Sequence, residues 1–213
     1  MANENLARLV GHAFGDGSVH KKKAYFIYTN SNAKLHENVN QLIESQFGVV
    51  SQNRGTSISG TPRTQFSNKV GKKIVNLGAP MGSKVLQETK VPIWILNGSN
   101  KIKRAFLAAL FDDEGNFRND KNSRQIVFKS AKVISKQKNL EKYLGQLTKM
   151  LNEFGIKTSK IKKDQVKKRR DGKQIVSLRF WITGRKNFLA FKEIIPLRHP
   201  DKSRNLNEMA SAG

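Results

Sequence analysis

The chain has 213 residues, of which 40 are Lys or Arg and 16 are Asp or Glu, so its formal net charge at pH 7 is +24. It contains no Cys, which excludes disulfides, thiolate zinc sites, iron–sulfur clusters and cysteine nucleophiles. With 37% hydrophobic residues and no apolar run of about 18 residues, the composition predicts a soluble, intracellular globular protein, and its charge favours nucleic acid as the partner.

The first half of the chain predicts a helix, two strands, a helix, two strands and a helix. Residues 4–16 have an apolar face and end before a glycine, and residues 33–47 have the spacing of an amphipathic helix. Strand character appears in KAYFIYT, within residues 20–29, and a further helix starts at Lys72.

The second half predicts the same order of elements. A strand over 124–129 and a helix over 138–154 precede a hairpin, whose tip holds Asp171-Gly172, a dipeptide typical of tight turns. In the last strand of this hairpin apolar residues alternate with others. This pattern predicts one face packed on helices and an outer face that carries Ser177 and Arg179.

A short polar stretch, NGSNK, separates the two halves. We therefore predict an N-terminal half at residues 1–98, a linker at 99–101 and a C-terminal half at 102–213. The charge is uneven across this boundary, because 28 of the 40 basic residues lie after residue 100.

The two halves share a sequence motif. LVGHAFGDGSV at 9–19 aligns with LAALFDDEGNF at 107–117, and each is an apolar helical run that ends in an acid followed by Gly. Phe-Gly-aliphatic then ends the next helix of each half, at 47–49 and 154–156. The halves are therefore divergent copies of one unit, in which small residues such as Gly11 and Ala109 would let the two motif helices pack closely.

The acids that end the two motifs, Asp16 and Glu114, are the candidate catalytic residues. An acid before Gly is common turn chemistry, but at a helix C-terminus it faces the negative end of the helix dipole. Because both acids occupy this unfavourable place at equivalent positions of the repeat, a functional role for them is favoured over a role in the turn alone. Two neighbouring carboxylates suit a hard divalent cation, and Mg²⁺ held against a phosphodiester is a recurring arrangement for in-line phosphoryl transfer.

These residues resemble the two copies of the LAGLIDADG motif of homing endonucleases, in the single-chain form that carries both motifs. Residues 77–95 and 195–206 are similar to segments that close each half in archaeal-type members. The resemblance implies an α+β fold of two pseudo-twofold-related αββαββα units, each with an antiparallel four-stranded sheet that forms a DNA-binding saddle.

The resemblance also implies roles for single residues. The carboxylates and carbonyls that would bind Mg²⁺ or Mn²⁺ are the side chains of Asp16 and Glu114 and the backbone oxygens of Gly15 and Asp113. The polar residues and lysines that family members place around the attacking water align with Asn30, Ser130, Lys84 and Lys202.

Three positions depart from the family pattern. Phe14 replaces the internal acid of the first motif, whereas the second motif keeps one at Asp112. His12 stands where an aliphatic residue is usual, and we expect it to be structural or to contact phosphate rather than to bind metal. Asp113 replaces a small residue, so we expect looser helix packing at that end. None of these departures removes a metal-binding acid.

Basic residues on the sheets and in one hairpin are the candidate DNA contacts. The run KIKKDQVKKRRDGK at 160–173 holds eight Lys or Arg residues. It forms either a solvated tip or a phosphate-binding hairpin, and mutual repulsion favours the second. Sheet residues are expected to reach base edges in the major groove. The full candidate set is Lys22, Arg54, Arg63, Gln65, Arg124, Lys160, Lys162, Lys167, Arg169, Arg170 and Arg179.

The sequence and the resemblance together predict a monomeric, Mg²⁺-dependent endonuclease that cuts double-stranded DNA at a long, asymmetric target. Two alternatives stay open. One is a non-cutting nucleic-acid-binding relative, such as an intron RNA maturase, which does not use the acids. The other is a basic structural binder, which needs neither acid.

Overall fold

The computed structural model describes residues 2–51, 53–120 and 123–212. Helices mix with two antiparallel four-stranded sheets, so the predicted α+β fold class is confirmed. The helices are α1 Glu4–Phe14, α2 Ala33–Phe47, α3 Asn68–Asn76, α4 Ile93–Leu96, α5 Asn100–Glu114, α6 Gln137–Glu153, α7 Arg185–Ile194 and α8 Pro200–Ser211. The strands are β1 Gly17–Val19, β2 Phe26–Thr29, β3 Asn53–Thr56, β4 Pro62–Phe66, β5 Gly115–Asp120, β6 Ser123–Val133, β7 Lys162–Lys168 and β8 Gln174–Ile182.

The described chain forms two compact units that interleave along the sequence. Unit 1 contains the residues up to Ser83 together with Pro92–Asp113 and Leu197–Pro200. Unit 2 contains Lys84–Val91, Glu114–Pro196 and the residues from Asp201 onward. The division at 1–98 and 102–213 stays a prediction about the repeat, since most of α5 lies in unit 1.

The predicted linker is shorter than the sequence indicates. Asn100 and Lys101 form the first turn of α5, so only Ser99 of the three predicted linker residues precedes the helix. The Ser99 hydroxyl oxygen lies 3.5 Å from the backbone nitrogen of Ile102, the position of a side chain that caps a helix start. A polar stretch that is typical of a linker is here a helix N-terminus.

The sheet of unit 1 has the strand order β1-β2-β4-β3. Phe26 pairs with Phe66 and Tyr28 with Thr64 across β2 and β4, and all four residues are buried. The rings of Phe26 and Phe66 stack with their centroids 5.9 Å apart. Because side chains alternate along a strand, the neighbours of these residues form a second, open face.

The sheet of unit 2 has the corresponding order β5-β6-β8-β7. Phe128 pairs with Phe180 across β6 and β8, and their buried rings stack with centroids 5.6 Å apart. The β7–β8 hairpin turns at Gly172, whose φ of +80° is the left-handed conformation that glycine adopts without strain. The predicted turn therefore lies at this position.

A buried lysine fixes one segment in unit 2. Lys132 on β6 is 3% exposed, and its Nζ donates to the carbonyl oxygens of Lys84 and Gln87, at 2.6 and 2.8 Å, and to Thr89 Oγ1 at 2.5 Å. Burial lowers the pKa of Lys132 to about 8. Residues Lys84–Val91 thus pack in unit 2, although they precede the sequence boundary.

Glycine ends the helix after the first hairpin in both halves. Gly48 follows α2 with φ +65°, and Gly155 follows α6 with φ +74°. Both are left-handed positions after a helix, as the repeated Phe-Gly pattern predicts.

Among the helices of the described ranges, none is long and apolar enough to cross a membrane.

Candidate active site and nucleic-acid surfaces

The two motif helices, α1 and α5, pack against each other within unit 1. A Cβ added to Gly11 would lie 2.6 Å from the carbonyl oxygen of Phe106 and 2.7 Å from the Cβ of Ala109. The rings of Phe14 and Phe106 meet edge to face, with centroids 5.6 Å apart. Small residues at Gly11 and Ala109 therefore allow the close approach that the repeat predicts.

Asp16, the first candidate metal ligand, follows α1 and is held at both its backbone and its carboxylate. Its backbone N–H donates to Asp113 Oδ2 at 3.1 Å. Its Oδ2 accepts from Asn30 Nδ2 at 2.6 Å. Asn30 comes directly after β2, and its carbonyl oxygen lies 2.8 Å from Nε2 of His36. The structure thus brings the predicted polar residue Asn30 to Asp16.

Asp113 lies in a fully buried polar cluster next to Asp16. Its carboxylate oxygens both lie 3.1 Å from His12 Nδ1, and Oδ1 accepts from the Tyr28 hydroxyl at 2.7 Å. The side chains of His12 and Asp113 are 0% exposed. Burial and the charge of Asp113 raise the pKa of Tyr28. The expected looser packing at Asp113 is therefore wrong, because its side chain fills the space with hydrogen bonds.

A second buried pair joins α1 to α5. Arg8 Nη2 lies 2.6 Å from Asp112 Oδ2, and their side chains are 4% and 0% exposed. Asp112 Oδ1 also accepts from the backbone N–H groups of Arg198 and His199, at 2.8 and 2.9 Å. Burial lowers the pKa of Arg8 to about 10 and raises the pKa of Asp112, and the ion pair opposes both shifts. No sequence pattern predicts a role for Arg8, whose partner lies 104 positions away.

Glu114, the second candidate metal ligand, ends α5 and belongs to unit 2. It is exposed, and its charge adds to burial in raising the pKa of Tyr143. Asp16 belongs to unit 1, so the pairing of the two acids stays a prediction. The predicted lysines, Lys84 and Lys202, lie in unit 2, in a 3-10 helix and in the first turn of α8.

Ser130 occupies the sheet position that corresponds to Asn30. Gly17 pairs with Tyr28 in the first sheet, and Gly115 pairs with Phe128 in the second. Asn30 and Ser130 each follow the partner of the motif glycine by two residues. Ser130 lies inside β6, however, because this strand continues to Val133, whereas β2 ends before Asn30.

The open face of the first sheet carries two of the predicted DNA contacts. Gln65 is opposite Ile27, and Arg63 is opposite Thr29, on the face away from the buried rings. Arg54 is directly opposite Thr64 and therefore lies on the other face. Lys22 is exposed in the turn between β1 and β2.

The open face of the second sheet is richer in cations. Lys129, Arg179 and Lys162 form one row across three strands. Lys167 follows on the same side of β7, opposite Ile175. Arg124 does not share this face, because strand alternation places it with the buried Ile126 and places Gln125 on the open side.

One acid lies within this cationic row. Asp164, at an irregularity in the pairing of β7, contacts Lys129 Nζ at 2.5 Å and Arg179 Nε at 3.3 Å. The hydrogen bond from Lys129 lowers the pKa of Asp164. Trp181 lies beside the row, with Lys162 Nζ 5.2 Å and the Arg179 guanidinium 5.8 Å from its ring centroid. No sequence pattern indicates that Asp164 orients two cations.

The hairpin tip extends the positive surface. Arg169 Nε contacts Asp171 Oδ1 at 3.2 Å, and Lys173 Nζ lies 3.7 Å from the other oxygen of this acid. The exposed basic residues next to this contact are Lys167, Lys168 and Arg170, whereas Lys160 precedes β7 at the opposite end of the hairpin. Residues 160–173 hold eight basic residues and two acids, and this excess of positive charge suits phosphate as a ligand.

The donor set around Asp16 fits a hard divalent cation. Carboxylate and carbonyl oxygens are the ligands that Mg²⁺ takes, and the Asp16 carboxylate and the backbone carbonyls beside it are oxygens of these kinds. Residues 2–51, 53–120 and 123–212 contain no group of three or more His, Asp or Glu side chains placed to hold a metal ion. A cation here would therefore need ligands beyond these side chains, such as carbonyl oxygens, water or phosphate.

Comparison with known folds agrees with this architecture. Residues 101–196 match the family described as the LAGLIDADG-like domain. A structure of the homing endonuclease I-DmoI gives a TM-score of 0.59 with 18% identity, covering 90% of this chain and 95% of that chain. Full-length WhiA from Thermatoga maritima gives a TM-score of 0.58 with 13% identity, covering 99% of this chain and 62% of that chain. These likenesses confirm the predicted fold.

Curated relatives contain a similar segment within much longer chains. The tRNA-splicing ligase RtcB of Pyrococcus furiosus is 26% identical over 221 residues, which cover 93% of this chain and 22% of the relative. The replication factor C small subunit of Methanocaldococcus jannaschii is 30% identical over 175 residues, which cover 73% of this chain and 9% of the relative. The chain thus spans less than a quarter of the length of these relatives.

Proposed function

The chain carries a LAGLIDADG-like domain within a fold of two four-stranded sheets, and from this premise we propose that it is a homing endonuclease that cuts double-stranded DNA at a specific site. The observation that carries the proposal is the hydrogen bonding that fixes Asp16. This acid ends the first motif and is fixed by Asn30 at its carboxylate and by Asp113 at its backbone. Glu114 ends the second motif at the equivalent position.

The distribution of relatives supports this proposal. A tRNA-splicing ligase and a replication factor subunit share no activity by name, yet each contains a segment similar to this chain. A segment that recurs in unrelated proteins and occupies a small part of each does not supply their separate activities. This distribution is expected of a mobile insertion, and cutting an uninterrupted site is how an endonuclease spreads the gene that encodes it.

DNA binding would use the open faces of the two sheets. Major grooves admit β-ribbons, and side chains on an open face can reach base edges there. Arg63 and Gln65 in the first sheet and Arg179 in the second are the candidate base contacts. The hairpin residues Lys167, Lys168, Arg169 and Arg170 would bind phosphates, which fixes the register without reading sequence. Unequal sheets imply unequal half-sites and hence an asymmetric target.

A divalent cation would be held by oxygen atoms at the ends of the two motifs. The ligands we assign are the carboxylates of Asp16 and Glu114 and the carbonyls of Gly15 and Asp113. Mg²⁺ or Mn²⁺ bound there acts as a Lewis acid on a phosphodiester. Solved structures of I-DmoI include complexes with its target DNA and Mn, and one in the presence of Mg.

The protein's own groups would order the attacking water around this centre. Asn30 keeps the Asp16 carboxylate in one orientation, because its amide donates to Oδ2. Ser130 offers a hydroxyl at the corresponding position of the second sheet. Lys84 and Lys202 are the candidate cations near the water and the scissile phosphate.

The test is cleavage of a duplex that carries the gene's flanking sequences joined without the gene. We expect both strands to be cut in Mg²⁺ and neither in EDTA. Asp16→Asn and Glu114→Gln should lose cleavage by at least about 10²-fold while binding the duplex with nearly unchanged affinity. Glu44→Gln, which removes an exposed carboxylate of α2, is the matched control and should cut normally. Full cleavage by either motif variant would contradict the assignment.

Binding without cleavage is the second candidate, because WhiA shares the fold and its name is not that of an endonuclease. Under this alternative the wild-type chain would retain tight binding to the joined duplex or to the transcript of its own intervening sequence. It would cut neither in Mg²⁺ nor in Mn²⁺. A gel-shift assay with both nucleic acids, run beside the cleavage assay, separates the two functions.

A further inference from the structure

Two of the positions at which the motifs depart from the family pattern contact each other. His12, which replaces an aliphatic residue in the first motif, has its Nδ1 3.1 Å from both carboxylate oxygens of Asp113, which replaces a small residue in the second. We propose that Asp113 is a positioning residue that holds the Asp16 backbone for metal binding, and that His12 is the partner without which Asp113 cannot be buried. The role of Asp16 in this proposal rests on the proposed function.

Hydrogen bonds to the Asp113 carboxylate compensate for its burial. Burying an ionised carboxylate is costly unless several donors compensate. The donors that reach the Asp113 carboxylate include His12 Nδ1, the Tyr28 hydroxyl at 2.7 Å and the Asp16 N–H at 3.1 Å. The rings of His12 and Tyr28 also meet edge to face, with centroids 5.4 Å apart. Two of these donors are buried side chains, His12 on α1 and Tyr28 on β2.

The contact with Asp16 distinguishes positioning from simple packing. Hydrogen bonds hold Asp16 at its backbone N–H through Asp113, at its carbonyl oxygen through the Thr29 N–H at 3.3 Å, and at its carboxylate through Asn30. Gly15 completes the fit, because a Cβ at that residue would overlap the Asp113 carboxylate. The Asp113 side chain therefore contributes, with the backbone hydrogen bonds of Gly15 and Asp16, to the path of the chain that orients the candidate ligand.

A double-mutant cycle tests the pair. Asp113→Ala removes the acceptor that His12 and the Tyr28 hydroxyl share, and His12→Leu leaves the carboxylate short of a donor. Each single variant should lower Tm in EDTA by about 3–10 °C. The double variant, which restores the family pattern at both positions, should recover most of this loss. Neither change touches the carbonyl of Asp113, which stays available as a ligand.

The decisive measurement on the double variant compares its Tm in EDTA with its response to Mn²⁺. We expect the Mn²⁺ concentration that gives half the maximal rise in Tm, measured without DNA, to increase about tenfold. We also expect kcat for cleavage to fall by about tenfold with an unchanged KM. Asp113→Asn keeps an acceptor for the Asp16 N–H and should recover the Mn²⁺ response. Tyr28→Phe, which removes one hydrogen bond but leaves the Asp16 contact, is the control.

Each outcome decides the proposal. If the double variant recovers both Tm and the wild-type Mn²⁺ response, Asp113 only stabilises the fold and positioning is refuted. An absence of any Mn²⁺ effect on wild-type Tm also refutes it, because no ion is then held by the residue that Asp113 positions. A wild-type chain that binds Mn²⁺ but does not cut refutes the endonuclease and leaves the Tm measurements to decide the inference.

Discussion

Adding one methyl group at Gly11 should destabilise unit 1, against the normal preference of helices. The new Cβ would lie about 0.8 Å closer to the carbonyl oxygen of Phe106 than ordinary van der Waals contact allows. It would lie about 0.7 Å too close to the Cβ of Ala109. Neither atom is the end of a flexible side chain, so the backbones of α1 and α5 must separate. Overpacking of this kind costs about 1–3 kcal/mol, against a gain of up to ~1 kcal/mol from helix propensity. We expect Gly11→Ala to lower the free energy of unfolding by about 1–2 kcal/mol.

Gly145 provides the matched control. It also lies inside a helix, α6, but a Cβ added there meets no atom within 4 Å. Gly145→Ala should therefore gain helix propensity without any steric cost. In thermal unfolding followed by circular dichroism, with EDTA and without DNA, we expect Tm to fall by about 2–8 °C for Gly11→Ala and to rise slightly for Gly145→Ala. A rise for both variants would refute close packing of the motif helices.

Three further predictions concern charge. In the first, Lys167, Lys168, Arg169 and Arg170 are neutralised together. The slope of log affinity against log salt should become less steep by up to about 0.9 for each phosphate that the variant no longer neutralises. An unchanged slope would place the hairpin away from DNA. Asp164→Asn should release Lys129 and Arg179 to phosphates, so binding to unrelated duplex DNA should tighten about 3–10-fold and the ratio of specific to non-specific affinity should fall. The unfolded chain binds the Lys132 proton near its ordinary pKa of 10.5 and the folded chain near 8, so wild-type Tm should rise relative to that of Lys132→Met between pH 8 and 10. A constant Tm difference over that range would show that this amine does not titrate differently on folding.

The repeat was enough to predict the fold because its signals are local. The motif glycines, the Phe-Gly helix ends and the Asp171-Gly172 turn each lie within a few residues of the structure they specify. Alternation along the last strand likewise predicts which side of β8 carries Arg179, although Ser177 on that side is buried. Most predicted elements are therefore present with shifted ends, as in β6, which continues to Val133, whereas the last helix, α8, was not predicted.

The polar interior could not be predicted in the same way, because its contacts join residues that are far apart in sequence. Arg8 meets Asp112 across 104 positions, and His12 meets Asp113 across 101. In the sequence, His12 and Asp113 are only two separate departures from a motif. Their pairing becomes visible once α1 and α5 are in place. Arg54 and Arg124 illustrate the same point for surfaces, since one residue of register decides which face a side chain occupies.

The acceptors of the Lys132 amine lie before the repeat boundary, which determines how this protein can be divided. A fragment that starts at residue 99 would lack Lys84, Gln87 and Thr89, and so would bury an ammonium group without acceptors. A fragment that ends at residue 98 would lack Asp112 and leave buried Arg8 without its carboxylate. Chimaeras between relatives should therefore exchange staggered pieces, with residues 84–91 travelling with the second sheet and residues 100–113 with the first.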